Sequence, residues 1–188
     1  MRKLKLQMHI SVDGFVAGPN GELDWMTWAE DPELISFVVE LTDSCDTMLI
    51  GRKMAEGFMQ HWESVPPEDP TFSFAKKMID MRKIVFSHTQ KTISGKNASI
   101  TNEDLSTAVK KLKAEPGKDI IVYGGAGFVS SLVKAGLIDE FNFRVEPVMI
   151  NKGMRIFDLL DHRQKLDLVS VTPYSHGVYL ARYGLKEN

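Results

Sequence analysis

The sequence predicts an α/β protein with a mainly parallel sheet and antiparallel strands at one edge. Three observations lead there. Short apolar runs alternate with helical patterns from residue 4 to residue 137. Several of those runs end in a glycine or a polar turn that opens directly into a helix. The last apolar runs, Leu166 to Val171 and Val178 to Leu185, are joined by Pro173-Tyr174-Ser175-His176-Gly177 and read as an antiparallel hairpin.

Taken in order, Leu4, Leu6, Met8 and Ile10 alternate with Lys5, Gln7, His9 and Ser11, a strand with one apolar face. A loop from Ser11 to Gly21, rich in glycine, follows and is closed by Asp24, Trp25, Met26 and Trp28. Trp25 suits either a pocket wall or a core anchor, and Trp28 reads as core. Asp31-Pro32 opens a helix, the Asp as cap and the Pro at the first helical position, with Leu34, Phe37, Val38 and Leu41 as its buried stripe. Thr47–Ile50 is a strand running into Gly51-Arg52-Lys53-Met54, where the next helix begins. Asp69-Pro70 repeats the helix start and leads to Phe74, Met78 and Met81. Lys83–Ser87 is a strand ending at Ser87-His88-Thr89. Asn102-Glu103-Asp104 opens a helix carrying Leu105, Val109 and Leu112, which Glu115-Pro116-Gly117 ends. Asp119–Tyr123 is a buried strand; Gly124-Gly125-Ala126-Gly127 turns it into a helix bearing Phe128, Val129, Leu132 and Val133. Ile138 to Ile150 reads as one long strand.

With 188 residues and ordinary apolar and charged fractions, the chain is expected to be a single domain spanning 1–188 with a substantial core. A net charge of −2 gives no reason to expect nucleic acid or an anionic membrane as partner. The one cysteine, Cys45, excludes an internal disulfide and a multi-cysteine metal site, and the five histidines show no metal spacing. Charges interrupt the first apolar positions, and no run is long enough to span a membrane, so a cytoplasmic location is expected.

Three strands end in groups able to hold a ligand: Gly51-Arg52, Ser87-His88-Thr89 and Gly124-Gly125. In open α/β sheets ligands gather beyond the carboxyl ends of the strands. The glycine turn before Phe128 reads either as a pyrophosphate cradle at a helix N-terminus or as a tight turn that binds nothing. Arg52 and Lys53 on a first helical turn oppose the helix dipole and ask for an anion, or else are a solvated pair. Together the three sites suit a ligand with a pyrophosphate and a further phosphate, the latter gripped bidentately by Arg52.

These residues resemble the dihydrofolate reductase-like fold, and most closely the C-terminal reductase domain of the bifunctional riboflavin-biosynthesis deaminase-reductase. The matching stretches are Ser11–Gly18, Gly21–Trp25, Leu49–Met54, Val122–Gly127, Ile138–Phe141 and Pro147–Gly153, with the terminal hairpin; they span nearly the whole chain. The resemblance implies a three-layer α/β/α fold with a mixed, mostly parallel central sheet and an antiparallel C-terminal hairpin. It implies NADPH as hydride donor. By motif, Arg52 beside Gly51, Lys53 and Met54 meets the 2′-phosphate of the adenosine ribose. Ser87, His88 and Thr89 lie along the adenosine. Gly124, Gly125, Ala126, Gly127, Phe128 and Val129 form the pyrophosphate turn, with a cis bond between Gly124 and Gly125. Ala17 and Gly18 lie in a flap over the nicotinamide, and Trp25 closes that flap at the substrate pocket.

The implied activity is an NADPH-dependent reductase, most like 5-amino-6-(5-phosphoribosylamino)uracil reductase or a stand-alone relative acting on a small heterocyclic substrate. No H-x-E with P-C-x-x-C deaminase signature is present. Dihydrofolate reductases place an acid on the helix after the flap. Here that place falls near Ile35, and Glu33, the nearest acid, is turned about 200° away. Asp13 at the end of the first strand is the candidate to assist proton transfer, or else it caps loop N–H groups. A dihydrofolate reductase-type activity and a non-catalytic NADPH-binding or assembly module are the alternatives. A homodimer is expected, because the strand around Phe141–Val145 and the apolar hairpin would leave a sheet edge uncovered.

Overall fold

The computed structural model describes residues 1–27 and 31–186; Trp28 lies outside the described residues. The eight strands are β1 (Leu4–Ser11), β2 (Cys45–Gly51), β3 (Arg82–Phe86), β4 (Ala98–Thr101), β5 (Asp119–Val122), β6 (Glu140–Glu146), β7 (Leu166–Pro173) and β8 (Tyr179–Leu185). They form one sheet in the order β4-β3-β2-β5-β1-β6-β8-β7. The first six are mutually parallel; β8 runs antiparallel to β6 and β7 antiparallel to β8. The expected α/β architecture with an antiparallel C-terminal hairpin is therefore present.

Among the described residues five α-helices cover the sheet: α1 (Pro32–Asp43), α2 (Arg52–Glu63), α3 (Phe72–Asp80), α4 (Leu105–Ala114) and α5 (Ala126–Lys134). Strand alternation divides their packing between two faces. Leu6, Leu49, Ile120 and Val122 meet Val109 of α4 and Leu132 of α5, whereas Met48, Ile50 and Ile121 meet Leu41 of α1, Met59 of α2 and Met78 of α3. Two cores on opposite faces make three layers. Completely buried side chains such as Leu4, Leu49 and Ile120 each stabilise by roughly 1.5–3 kcal/mol relative to exposure.

The helix starts follow the sequence with one shift. Asp31 caps α1 by accepting from the N–H groups of Glu33 and Leu34, and Asp104 caps α4 through Thr107 N–H. Asp69 instead binds the N–H and hydroxyl of Thr71, at 2.7 and 2.6 Å, so its turn closes first and α3 begins at Phe72. Two further expectations are corrected. The strand expected to reach Ile150 stops at Glu146, because Pro147 has no N–H to donate and Val148 N–H turns back onto the Glu146 carbonyl at 2.8 Å. This strand, β6, pairs parallel with β1 and antiparallel with β8, and so joins the parallel set to the C-terminal hairpin. Finally, the peptide bonds are trans among the described residues, Gly124–Gly125 included.

Candidate functional site

Because six strands are parallel, their carboxyl ends share one edge of the sheet. Ser11, Gly51, Phe86, Thr101, Val122 and Glu146 all finish there. Helices α2 and α5 start at that edge with Gly51 and Gly125 at their N-caps and no side-chain cap, in contrast to the aspartate-capped α1 and α4. Their first N–H groups are left to other partners. The two starts are pressed together: a β-carbon on Gly51 would lie 2.6 Å from Phe128 Cβ, so only glycine fits. Gly124 is likewise confined, its absent β-carbon falling 3.0 Å from Met54 Sδ.

Between these starts and the loops after β3 and β4 lies a cavity of about 320 Å³ lined by Arg52, Ser87, His88, Thr89, Thr101 and Phe128, among others. The Arg52 guanidinium has no hydrogen-bond or ion-pair partner among the described residues and opens into this cavity. Ser87 is buried. Its Oγ accepts from the N–H groups of Thr89 and Gln90, at 3.3 and 2.9 Å, which folds the loop after β3 into the wall. Phe86 and Phe128, with ring centroids 5.1 Å apart, supply an apolar floor. Glu103 contributes the one carboxylate among these lining residues and is paired with Lys111 at 2.8 Å.

The loops after β1 and β6 meet farther along the edge. Ala17 carbonyl accepts from Met154 N–H at 2.8 Å, and Gly153 passes so near that a β-carbon would lie 2.1 Å from Ala17 O. Gly18 and Glu22 close a turn, with Gly18 N–H on the Glu22 carbonyl at 2.9 Å. The Trp25 indole N–H donates to that same carbonyl at 3.1 Å. Below this loop, Glu146 is wholly buried. Its Oε1 lies 2.9 Å from His9 Nδ1 and 2.8 Å from Arg144 Nε, and its Oε2 accepts from Thr27 N–H at 3.2 Å. The Arg144 contact is an ion pair, not a hydrogen bond, since that buried Nε–H is not directed at an acceptor; another guanidinium N–H donates to Thr27 carbonyl. Burial alone would raise the Glu146 pKa, but the His9 hydrogen bond and the Arg144 and His9 charges overcome it, and the carboxyl sits below the usual glutamate range.

The structure thus brings Arg52, Ser87, His88, Thr89 and Phe128 to one cavity, with Gly51, Gly124, Gly125 and Ala126 at its helix starts. Lys53 is exposed and does not line it, Met54 packs into the core, Val129 is fully buried, and Gly127 is an exposed position where a side chain would meet nothing. Asp13, the expected proton-transfer residue, is engaged otherwise. It accepts from Ser11 Oγ at 2.6 Å, Asn151 N–H at 2.8 Å and Ile150 N–H at 3.2 Å. The Ser11 bond leads in holding its pKa below the usual range, so it anchors the loop after β6 as a carboxylate and is ill suited to donate a proton. Glu33 is exposed in the first turn of α1, away from the described cavity, and Ile35 is exposed as well. Sequence reading missed the Glu146 cluster. Its only signal was the polar alternation Asn142, Arg144, Glu146 matching Lys5, Gln7, His9.

A profile of the RibD C-terminal domain matches residues 2–180. The chain is 33% identical to the uncharacterized protein YyaP of Bacillus subtilis over 177 residues, covering 94% of this chain and 92% of that one. Among solved structures it superposes on a protein of Shewanella sp. PV-4 named for riboflavin biosynthesis, with TM-score 0.79, 18% identity and coverage of 98% and 99%. It also superposes on the dihydrofolate reductase of Enterococcus faecalis complexed with NADP(H), with TM-score 0.65, 15% identity and coverage of 98% and 97%. The fold is dihydrofolate reductase-like.

Proposed function

The chain belongs to the RibD C-terminal domain family, and from that premise we infer that it is an NADPH-dependent reductase of a small heterocyclic or sugar-linked substrate. One observation carries the reading: a guanidinium without a partner among the described residues, Ser87, Thr89 and the first turns of two glycine-started helices converge on one cavity. A doubly phosphorylated dinucleotide matches that donor set. Arg52 would hold the 2′-phosphate, Ser87 and Thr89 the adenosine side, and the turn from Gly124 to Phe128 the pyrophosphate. The close fit of Gly51 against Phe128 sets the starts of α2 and α5 side by side, with Arg52 and Phe128 both lining the cavity, which supports a shared anion site there. When bound, the dihydronicotinamide supplies a hydride. This chain's own residues bind the phosphates, and the loop from Ala17 to Trp25 covers the neighbouring end of the edge.

The substrate reading is reduction at a carbon attached to nitrogen, as in the ribosylaminopyrimidine step the family name points to. Dihydrofolate reduction has less support, since the described part of α1 offers Ile35 where an acid would be needed. The test is NADPH oxidation by the purified protein against a panel of pterins, pyrimidines and ribosylaminopyrimidines, with NADPH and NADH affinities measured alongside. Oxidation with one class and a preference for NADPH supports the reading. Tight NADPH binding with no turnover would favour a non-catalytic module, and equal affinity for the two dinucleotides would count against Arg52 as the phosphate ligand.

The partner reading is a homodimer. Strand β7 is an unpaired edge that exposes Leu168, Val169 and Val171, and such edges are normally covered. No described helix is long and apolar enough to cross a membrane; a cytoplasmic location remains our proposal.

A further inference from the structure

Resting on the reductase reading, we propose that Glu103 recognises the base of the dinucleotide. Its free carboxylate oxygen accepts from the exocyclic amine of adenine, and the site selects an adenine dinucleotide over one that carries an oxo group there. Phosphates call for cations and N–H groups, yet the cavity that holds Arg52 is also lined by Glu103. A carboxylate beside a phosphate costs binding through like-charge repulsion. The two side chains are compatible when they serve opposite ends of one ligand.

The strand register sets those ends apart. Gly51 pairs with Phe86 and Phe86 with Thr101, so the tips of β2, β3 and β4 stand abreast. Arg52 follows the first tip, and Glu103 comes two residues after the last. Two strand spacings, roughly 10 Å in all, separate the cation end from the carboxylate end at the level of the tips. An adenosine phosphorylated on its ribose has a similar reach from phosphate to exocyclic amine. Between the ends, Phe86, Leu105 and Phe128 are half-buried and line the cavity. The rings of Phe86 and Phe128 lean together with 33° between their planes, a floor on which a flat base can lie.

The chemistry of the lining singles out the same residue. Lys111 Nζ donates to Glu103 Oε2 at 2.8 Å, which steadies the carboxylate and leaves Oε1 with no partner among the described residues. Glu103 N–H donates to Thr101 Oγ1 at 3.3 Å, tying its backbone to another lining residue. An ionised carboxylate can only accept, whereas the serine and threonine hydroxyls and the His88 imidazole can either donate or accept. Glu103 is therefore the acceptor-only side chain among the lining residues. Adenine offers it an amine N–H, as cytosine does to carboxylates in nucleic-acid recognition. Hypoxanthine places a carbonyl oxygen at that position, and oxygen faces oxygen. The Glu103 side chain is 48% exposed, so water competes for it and the selection is moderate.

The experiment titrates NADPH and its hypoxanthine analogue, which differs by an oxo group in place of the adenine amine, into the parent, Glu103→Gln and Glu103→Ala by calorimetry. The readout is the ratio of the two Kd values, in which any general effect of losing the charge or the Lys111 pair cancels. The parent should bind NADPH ~10-fold more tightly than the analogue, the low end for a hydrogen bond to a charged group. A glutamine amide can turn to donate or to accept and alanine does neither, so the ratio should fall to within about twofold in both variants. A parent that binds the two dinucleotides alike would overturn the assignment. So would variants that keep the parent's full preference. Either result leaves the reductase reading standing, because that reading rests on NADPH binding and oxidation. A parent that binds neither dinucleotide would remove the reductase reading and the base assignment together.

Discussion

Gly51 and Phe128 approach so closely that a single added methyl on Gly51 would sit 2.6 Å from Phe128 Cβ. That atom adjoins the backbone of α5 and cannot rotate away. Gly51→Ala must therefore push the two helix starts apart. The expected cost is about 1–3 kcal/mol of stability, read from urea unfolding, together with a weaker NADPH affinity. An unchanged midpoint and unchanged affinity would mean that the approach is not needed.

Arg52→Ala removes a guanidinium with no protein partner among the described residues, so folding should be indifferent to it. NADPH binding should weaken by about 1.5–3 kcal/mol, the usual value for a charge-assisted hydrogen bond, or roughly 10- to 150-fold in Kd. NADH binding should hardly move. Calorimetric titration with both dinucleotides gives the comparison.

Glu146 makes acid stability a reporter of its cluster. Its folded pKa lies below the ordinary value because His9 and Arg144 favour the anion over the effect of burial. Between the folded and unfolded pKa values the unfolded chain binds more protons, so stability rises with pH there. The contribution is complete above the ordinary glutamate pKa, about 4.3, and is lost as pH falls through the folded value. Glu146→Gln should be less stable at neutral pH and show a shallower loss on acidification, measured by chemical denaturation from pH 3 to pH 7, a span chosen to bracket roughly that ordinary value.

The β7 edge gives a prediction about assembly. Val169 sits at a register break in the β7–β8 pairing, and both it and Val171 are more than half exposed. Val169→Lys with Val171→Lys should convert a particle of twice the chain mass into one of the chain mass in analytical ultracentrifugation. A parent that already sediments as a single chain would dispose of the dimer.

The sequence made the local events legible and left the lateral ones hidden. Asp31 and Asp104 announce their helices because a capping side chain acts within three residues. The turn from Gly124 is visible for the same reason. Strand β4 was missed, since Ala98–Thr101 has only four residues, too short for its alternation of Ala98 and Ile100 with Ser99 and Thr101 to stand out, and it pairs on one side with β3. The His9–Glu146 pair was missed because its members are 137 residues apart. The polar alternation on β1 reads as a solvent face. Only the strand order shows that Lys5, Gln7, Asn142, Arg144 and Glu146 are covered, and that their face is a buried polar layer.

The glycine starts of α2 and α5 carry a last consequence. Helices α1 and α4 are finished by their own aspartates, but these two wait for an outside group to close them. With the proposed dinucleotide seated there, the ligand serves as the final piece of secondary structure. Saturation a hundredfold above Kd would then add about 2.7 kcal/mol to the folding equilibrium. The protein's lifetime against proteolysis in the cell would rise and fall with the local supply of NADPH.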